Sequence, residues 1–394
     1  MRPLIELIRR EVIAHGILSF ARFMELALYC PDYGYYETKK DNPGRRGDFY
    51  TSVNVGELFG QLLAFQFAGW LEPEAGGQPV LRRDSATEGG RSEVGIIEAG
   101  AHDGTLAGDI LNWLQRARPG LFERIQYCII EPSLRRQEWQ REKLEKFAPH
   151  VRWFADLKTL AQATRPTSRQ EVIFSNELLD AMPVHRFGWD ATAKEWFEWG
   201  VACEGEEFKW AKIRKSEAGN QKPELNLSSV LGPPPSDLLA VLPDEYTIEL
   251  SPAAENWWRE ASGILKSGRL LTMDYGMTRD EWFSPSRPQG TLRAYFRQHV
   301  VGDLLANAGE QDITAHVNFP AIEAAGESAG LVTDSFSTQT QFLTRILERA
   351  ARDKFFGEWN SSRTRQFQTL THPEHLGRAF RVLIQFRQPP AVRS

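Results

Sequence analysis

The sequence has little cysteine and no long apolar run. Cys30, Cys128 and Cys203 are its only cysteines in 394 residues, far apart and without a C-x-x-C pair. That excludes a disulfide framework or a zinc knuckle and points to a reducing compartment. No stretch is apolar enough for long enough to span a membrane, and the opening MRPLIELIRREVIAHG is interrupted by charge where a secretion signal would be apolar. A cytoplasmic, bacterial protein is expected. Positive charge is not in excess either: 47 Lys and Arg stand against 52 Asp and Glu, a net charge of −5. Nothing marks general nucleic-acid binding, although a basic protein partner is tolerated. A repeat of fixed period and a low-complexity tract are also missing.

The length allows two or three domains or one enlarged α/β domain, and 41% hydrophobic with 25% charged residues is a soluble, core-forming composition. The chain is organised around VGIIEAGAHDGTLAGDIL at 94–111. This reads as a short apolar strand over 94–97, the acid Glu98, a turn with Gly100 and Gly104, and a helix starting near Thr105. A glycine turn at the carboxyl end of a strand is where open α/β sheets bind nucleotide-like ligands, though an ordinary strand-to-helix turn is equally compatible. Neither G-x-G-x-x-G nor G-x-x-x-x-G-K-[ST] is present there, so the turn is not built for a diphosphate. An acid before the glycines would repel phosphate and suit the ammonium of an amino-acid-bearing nucleoside. S-adenosylmethionine fits that pattern.

Residues 2–29 read as two helices, with Ile5, Ile8, Val12 and Ile13 on one face of the first and Ser19 capping the second. An aromatic turn follows at 31–36 (PDYGYY), then the glycine-rich loop GRRGDFYTS at 44–52, which carries Asp48 and Thr51, and a helix over 57–70. Residues 73–93 are polar and glycine-rich, a surface loop or a joint. Strands are expected at 126–130, 151–154 and 171–175. Glu131, at the end of the first of these, is placed to accept hydrogen bonds from ribose hydroxyls or to cap a helix. Asp156 lies past the second, and the third leads into Asn176, Glu177 and Asp180. A hairpin is expected from 195–201 and 207–213, a proline-rich loop over 215–237, and a helix from 249 to 265. A fifth strand follows at 269–273, then a long loop over 277–317, a helix at 320–329, and a closing antiparallel pair from 331–342 and 380–386. His372 and His375, in H-P-E-H, lack a third ligand and differ from H-E-x-x-H, so no metal is expected.

The runs GRRGDFYTS, EAGAHDGTLAGDIL, SNELLDAMPVHRF, MDYG, QGTLRAYFRQH and DITAHVNF, in this order, resemble the MidA-like family of S-adenosylmethionine-dependent methyltransferases. That family includes the mitochondrial complex I assembly factor described as a protein arginine methyltransferase, and the resemblance spans roughly residues 1 to 345. It implies a class I, Rossmann-like α/β fold with a seven-stranded, mostly parallel sheet. An N-terminal helical segment and loop at 1–75 would precede a methyltransferase domain at 93–394 with insertions at 192–240 and 277–317. One departure stands out. The family's turn is closer to E-x-G-P-G-R-G-T-L, whereas Ala101, His102 and Asp103 stand where Pro, Gly and Arg are usual.

On this reading Glu98, Gly100, Gly104, Thr105, Glu131, Asp156 and Asn176 hold S-adenosylmethionine. Glu177 and Asp180, with Asp48, form a carboxylate clamp for the acceptor, and Tyr35, Thr51, Tyr275 and His316 line the acceptor side. An arginine acceptor, implied by the resemblance alone, suits such a clamp: paired carboxylates fix a guanidinium's plane and draw charge from the reacting nitrogen. The expected partner is a protein substrate such as a respiratory-complex subunit, with a homodimer among the assemblies to be tested; nucleic acid and membrane insertion are not expected. A nicotinamide dehydrogenase, a non-catalytic assembly factor and a small-molecule methyltransferase are the alternatives.

Overall fold

The computed structural model describes residues 3–38, 51–72, 94–163, 170–213, 241–284, 287–297, 299–353, 356–373 and 376–388. Its centre is a sheet whose main strands we number β1 (Val94–Ala99), β2 (Ile125–Ile130), β3 (Val151–Phe154), β4 (Glu171–Asn176), β5 (Gly268–Met277), β6 (Val332–Thr338) and β7 (Phe380–Arg387). They lie in the order β3-β2-β1-β4-β5-β7-β6. The first five run parallel, and β7 runs antiparallel to both its neighbours. β1 is buried along its whole length, as a strand covered on both faces must be. The chain winds outward from β1 in one direction to β3 and in the other to β4, so a crevice opens at the carboxyl ends of β1 and β4. The sheet gains an eighth, two-residue strand beyond the seven expected: Val317–Asn318 pairs with Gly276 and Met277, because β5 continues past Asp274.

Helices α1 (Pro3–His15) and α2 (Phe20–Tyr29) open the chain, the second capped by Ser19, whose hydroxyl accepts from the Arg22 amide at 3.3 Å. Of the apolar face expected on α1, Ile8 and Val12 are buried, but Ile13 is 78% exposed. These helices pack against a second sheet, built from Leu18–Ser19, Glu195–Glu204, His185–Asp190 and Thr247–Leu250, with Glu207–Ile213 completing the expected hairpin. The strands at 185–190 and 247–250 add to the sequence reading, which assigned no strand to either and began a helix at 249. Both are short; the first pairs with its neighbour at 195–204, and the second finds its partner, 185–190, far along the chain. The actual helix starts after them, with Ser251 as its cap and Pro252 in its first turn.

The central sheet is covered on one face by α3 (Leu58–Leu71), α4 (Thr105–Ala117) and Gln339–Ala350, and on the other by Pro252–Ile264 and Phe319–Ser328. α3 is apolar nearly all round because it is enclosed by α4, Gln339–Ala350 and Ser361–Thr371. Residues 277–317, expected as a loop, contain a short helix, Arg279–Trp282, and a three-stranded sheet of His299–Val301, Arg293–Phe296 and Asp312–Thr314. Strands of three or four residues carry no readable alternation, yet this sheet brings Asp312 beside the N-terminal tyrosines. Among the described residues no helix is long and apolar enough to cross a membrane.

Candidate active site

The turn after β1 has left-handed backbone at Gly100 (φ 74°), His102 (φ 48°) and Gly104 (φ 85°). At Gly100 a Cβ would stand 3.0 Å from Leu178, so the turn packs directly on the loop that follows β4. Only His102 adopts this conformation without glycine's freedom. Its carbonyl accepts from Gln140 Nε2 at 2.9 Å, and its ring faces the cleft described below. Asp103 ties the turn to α4: its carboxylate accepts from the Thr105 amide at 3.0 Å and hydroxyl at 2.7 Å, and pairs with Lys143. Burial pushes this carboxyl up, but His102, Lys143 and Thr105 together hold it well below the usual carboxylate range. His102→Gly should therefore stabilise the protein by about 1 kcal/mol through relief of the left-handed backbone, read as a rise in the denaturant midpoint. An unchanged or lowered midpoint would show that the imidazole's contacts outweigh the strain.

A cleft opens above this turn. One wall carries Glu98, residues 100–103, Thr105 and Leu106. The opposite wall carries Asn176, Glu177 and Leu178, and Tyr29, Tyr36, Thr51 and Arg136 close the rest. Glu98 is buried, accepts from the Tyr127 hydroxyl at 2.6 Å, and is pushed up to about 7 by burial. Asn176 donates to Glu177 Oε1 at 3.1 Å, while its own Oδ1 is buried without a hydrogen-bond partner. An orphaned acceptor and a buried carboxylate on facing walls call for a ligand bearing N–H or O–H donors and positive charge.

Glu177 follows β4 directly and has left-handed backbone, φ 52°. Its Oε1 also accepts from the Ser52 amide at 3.3 Å. Burial, then the charge of Asp274, pushes it up to about 8. Asp274 is fully buried on β5, one residue past Met273, which pairs with Asn176. Nearby, the Tyr36 hydroxyl donates to Asp312 Oδ1 at 2.7 Å and the Tyr29 hydroxyl donates to the Ala181 carbonyl at 2.8 Å. Burial first, then the charges of Asp274 and Asp312, raise the proton affinity of Glu177 and Asp180.

The sequence model of the family described as "Putative S-adenosyl-L-methionine-dependent methyltransferase" matches residues 81–337. The chain belongs to this family. It is similar to a COG1565 superfamily member from Burkholderia thailandensis, whose crystal structure is bound to S-adenosyl-homocysteine. The two are 29% identical with a TM-score of 0.76, covering 98% of this chain and 92% of that one. Among curated proteins it is similar to the Drosophila melanogaster "Protein arginine methyltransferase NDUFAF7 homolog, mitochondrial", 26% identical over 407 residues, 96% of this chain and 84% of the relative. The Homo sapiens "Protein arginine methyltransferase NDUFAF7, mitochondrial" is 25% identical over 363 residues, 84% of this chain and 70% of the relative. The MidA-like resemblance and the class I fold are borne out, and the cofactor of this methyltransferase is S-adenosylmethionine. The donor set fits it: Glu98 suits the ammonium, the Asn176 oxygen suits an N–H or O–H, and no phosphate cradle competes.

The methyltransferase places Glu98, Gly100, Thr105, Asn176, Glu177 and Thr51 on the cleft. Several expected positions lie elsewhere. Glu131 is buried behind the wall, where its carboxylate accepts from the Ser133 amide at 3.0 Å and Gln140 at 3.2 Å. Asp156 is exposed and caps the next helix through the Thr159 amide at 2.7 Å. Gly104 serves as the N-cap of α4 and does not face the cleft. Tyr35 is fully buried in the N-terminal core, and its neighbour Tyr36 lines the cleft instead. Tyr275 packs on Phe380 and stacks at 6.5 Å from His316, both outside the cleft lining. Asp180 is turned inward toward Asp274. Asp48 and His375 lie outside the described residues. Sequence reasoning missed His102, Arg136, Tyr29, Tyr36 and Asp274. Asp274, inside the quoted MDYG run, was the one legible as an acid at a strand end.

The raised acids make stability depend on pH. Glu98 and Glu177 shift from an ordinary value of 4.5 to about 7 and about 8. The folded state then binds more protons than the unfolded one, so stability falls as pH rises. The melting midpoint of the ligand-free methyltransferase is expected to drop from about pH 4.5 to about pH 8, and Glu177→Gln should make the drop shallower. A midpoint that climbs through this interval would contradict the assigned burial of these acids.

Proposed function

We propose that this methyltransferase acts on an arginine side chain of a protein, with Glu177 as the acid that meets the acceptor. One observation carries the reading: Glu177 stands on the cofactor cleft, in left-handed backbone, in front of three further acids. The names of the relatives support arginine as the acceptor. When bound, S-adenosylmethionine supplies a methyl group activated by its sulfonium. The protein's own residues do the rest. A guanidinium is protonated and spreads its charge over three nitrogens, so an acid is needed to fix its plane and draw charge from the reacting one. Glu177, further fixed by Asn176 and the Ser52 amide, is positioned to accept two N–H groups. Methylation leaves the acceptor nitrogen with a surplus proton, and a carboxyl pushed up to about 8 is able to receive it. Tyr29 and Tyr36 enclose this end of the cleft and exclude water from it.

The test is methylation of a cell extract with labelled cofactor, comparing the wild-type protein with Glu177→Gln and locating the label by peptide mass spectrometry. Label on arginine in one or a few proteins is expected, with a respiratory-complex subunit the first to check. Label only in small molecules, or none despite cofactor binding, would overturn the arginine reading.

A further inference from the structure

Asp274 receives an unusual number of backbone amides. Its Oδ2 accepts from three consecutive residues, Leu178 at 3.1 Å, Leu179 at 2.8 Å and Asp180 at 3.4 Å, and its Oδ1 accepts from the Tyr275 amide at 2.8 Å. Four amide donors favour its charged form. The three amides belong to the loop that begins at Glu177, whose own amide makes the last strand-like bond, to the Met273 carbonyl at 2.9 Å. The chain leaves β4 through a left-handed residue and folds back over one buried oxygen. The direction of the Glu177 side chain follows from that fold.

The Asp180 side chain is in hydrogen-bond contact with Asp274. Two carboxyls in contact share a proton, and the amides that favour the charged form of Asp274 leave that proton on Asp180. The surroundings agree: Asp180 is 6% exposed and is faced by Glu177, Asp312, Tyr29, Tyr36, Tyr275 and Tyr295, with Arg136 acting on Tyr29 and Arg293 on Tyr295. The Asp180 carbonyl accepts from the Ala315 amide at 2.9 Å, which fixes the far end of the loop.

We infer that Asp274 is a positioning residue for Glu177, holding its loop from within as an ionised cradle, and that Asp180 is the neutral hydrogen-bond donor that completes the cradle, not a second charged clamp on the acceptor. This rests on Glu177 being the acid that meets the acceptor. It replaces the expectation that Asp180 touches substrate, and it assigns a role to Asp274.

The experiment compares Asp180→Asn, Asp180→Ala, Asp274→Asn and Glu177→Gln in the full chain. It measures the pH profile of methyl transfer, S-adenosylhomocysteine affinity by calorimetry, and the infrared carboxylic-acid band. Asp180→Asn keeps a donor toward Asp274, so it should retain activity within a few-fold while losing one carboxylic-acid band. Asp180→Ala should lose about tenfold, the worth of one hydrogen bond to a charged group. Asp274→Asn misplaces Glu177 and should lose about 100-fold. It should also move the acid limb of the profile to lower pH, because a negative charge beside Glu177 is gone. A purely structural role would lower the rate without moving that limb. Asp180→Asn as inactive as Glu177→Gln with its band unchanged, or an unmoved limb in Asp274→Asn, overturns the inference. Wild-type protein that binds S-adenosylhomocysteine yet labels no protein arginine would instead count against the acceptor reading, and the infrared band still decides the state of Asp180.

Discussion

Glu177→Gln lowers methyl transfer by at least about 100-fold, the usual consequence of removing one preorganised charge from a water-poor site, while S-adenosylhomocysteine affinity changes only a few-fold. The amide keeps an oxygen for the Asn176 and Ser52 donors that now hold Oε1, so the side chain stays in place. On the proposed arginine reading, what is lost is the negative charge opposite the guanidinium and the site for its departing proton. Because the free carboxyl is pushed up to about 8, wild-type kcat/KM should rise with pH up to that value. Glu177→Gln should lack this rise. If both rate and cofactor affinity collapse together, the residue is needed for folding.

The second large effect concerns Glu98. Glu98→Gln retains a partner for the Tyr127 hydroxyl but removes the charge that we propose faces the cofactor's ammonium. Hydrogen bonds to charged groups are worth more than neutral ones, so the dissociation constant for S-adenosylhomocysteine should rise roughly 10- to 100-fold. The pH dependence tests the cause. Burial pushes Glu98 up to about 7, so affinity in the wild-type protein should strengthen as pH rises through that value and the acid ionises. In Glu98→Gln affinity should be flat there. A wild-type affinity independent of pH would place the ammonium elsewhere.

The altered glycine turn illustrates how a departure from a family pattern is absorbed. His102 occupies a left-handed position where the family usually has glycine, and Asp103, in place of arginine, finds Lys143 and the first amides of α4 as partners. The cleft survives this exchange because the conformation-setting residues on either side, Gly100 and Gly104, are unchanged.

The sequence by itself determined the sheet and the first wall of the cleft. Local patterns write these directly: apolar β1, then Glu98, then glycines, with the later parallel strands legible as apolar runs bounded by turns. It also carried Asn176 and Glu177, which lie immediately past a strand end. Only the tertiary structure decided which acids face the cleft and which stand behind it. Asp180 is three residues from Glu177, yet it points the other way because the loop wraps around Asp274, a residue 94 positions further on. Glu131 and Asp156 sit at strand ends as well, but short-range capping partners claim their oxygens. Tyr36 and not Tyr35 enters the cleft for a similar reason: Tyr35 is buried in the N-terminal core, while Tyr36 reaches Asp312, a partner the local sequence does not contain.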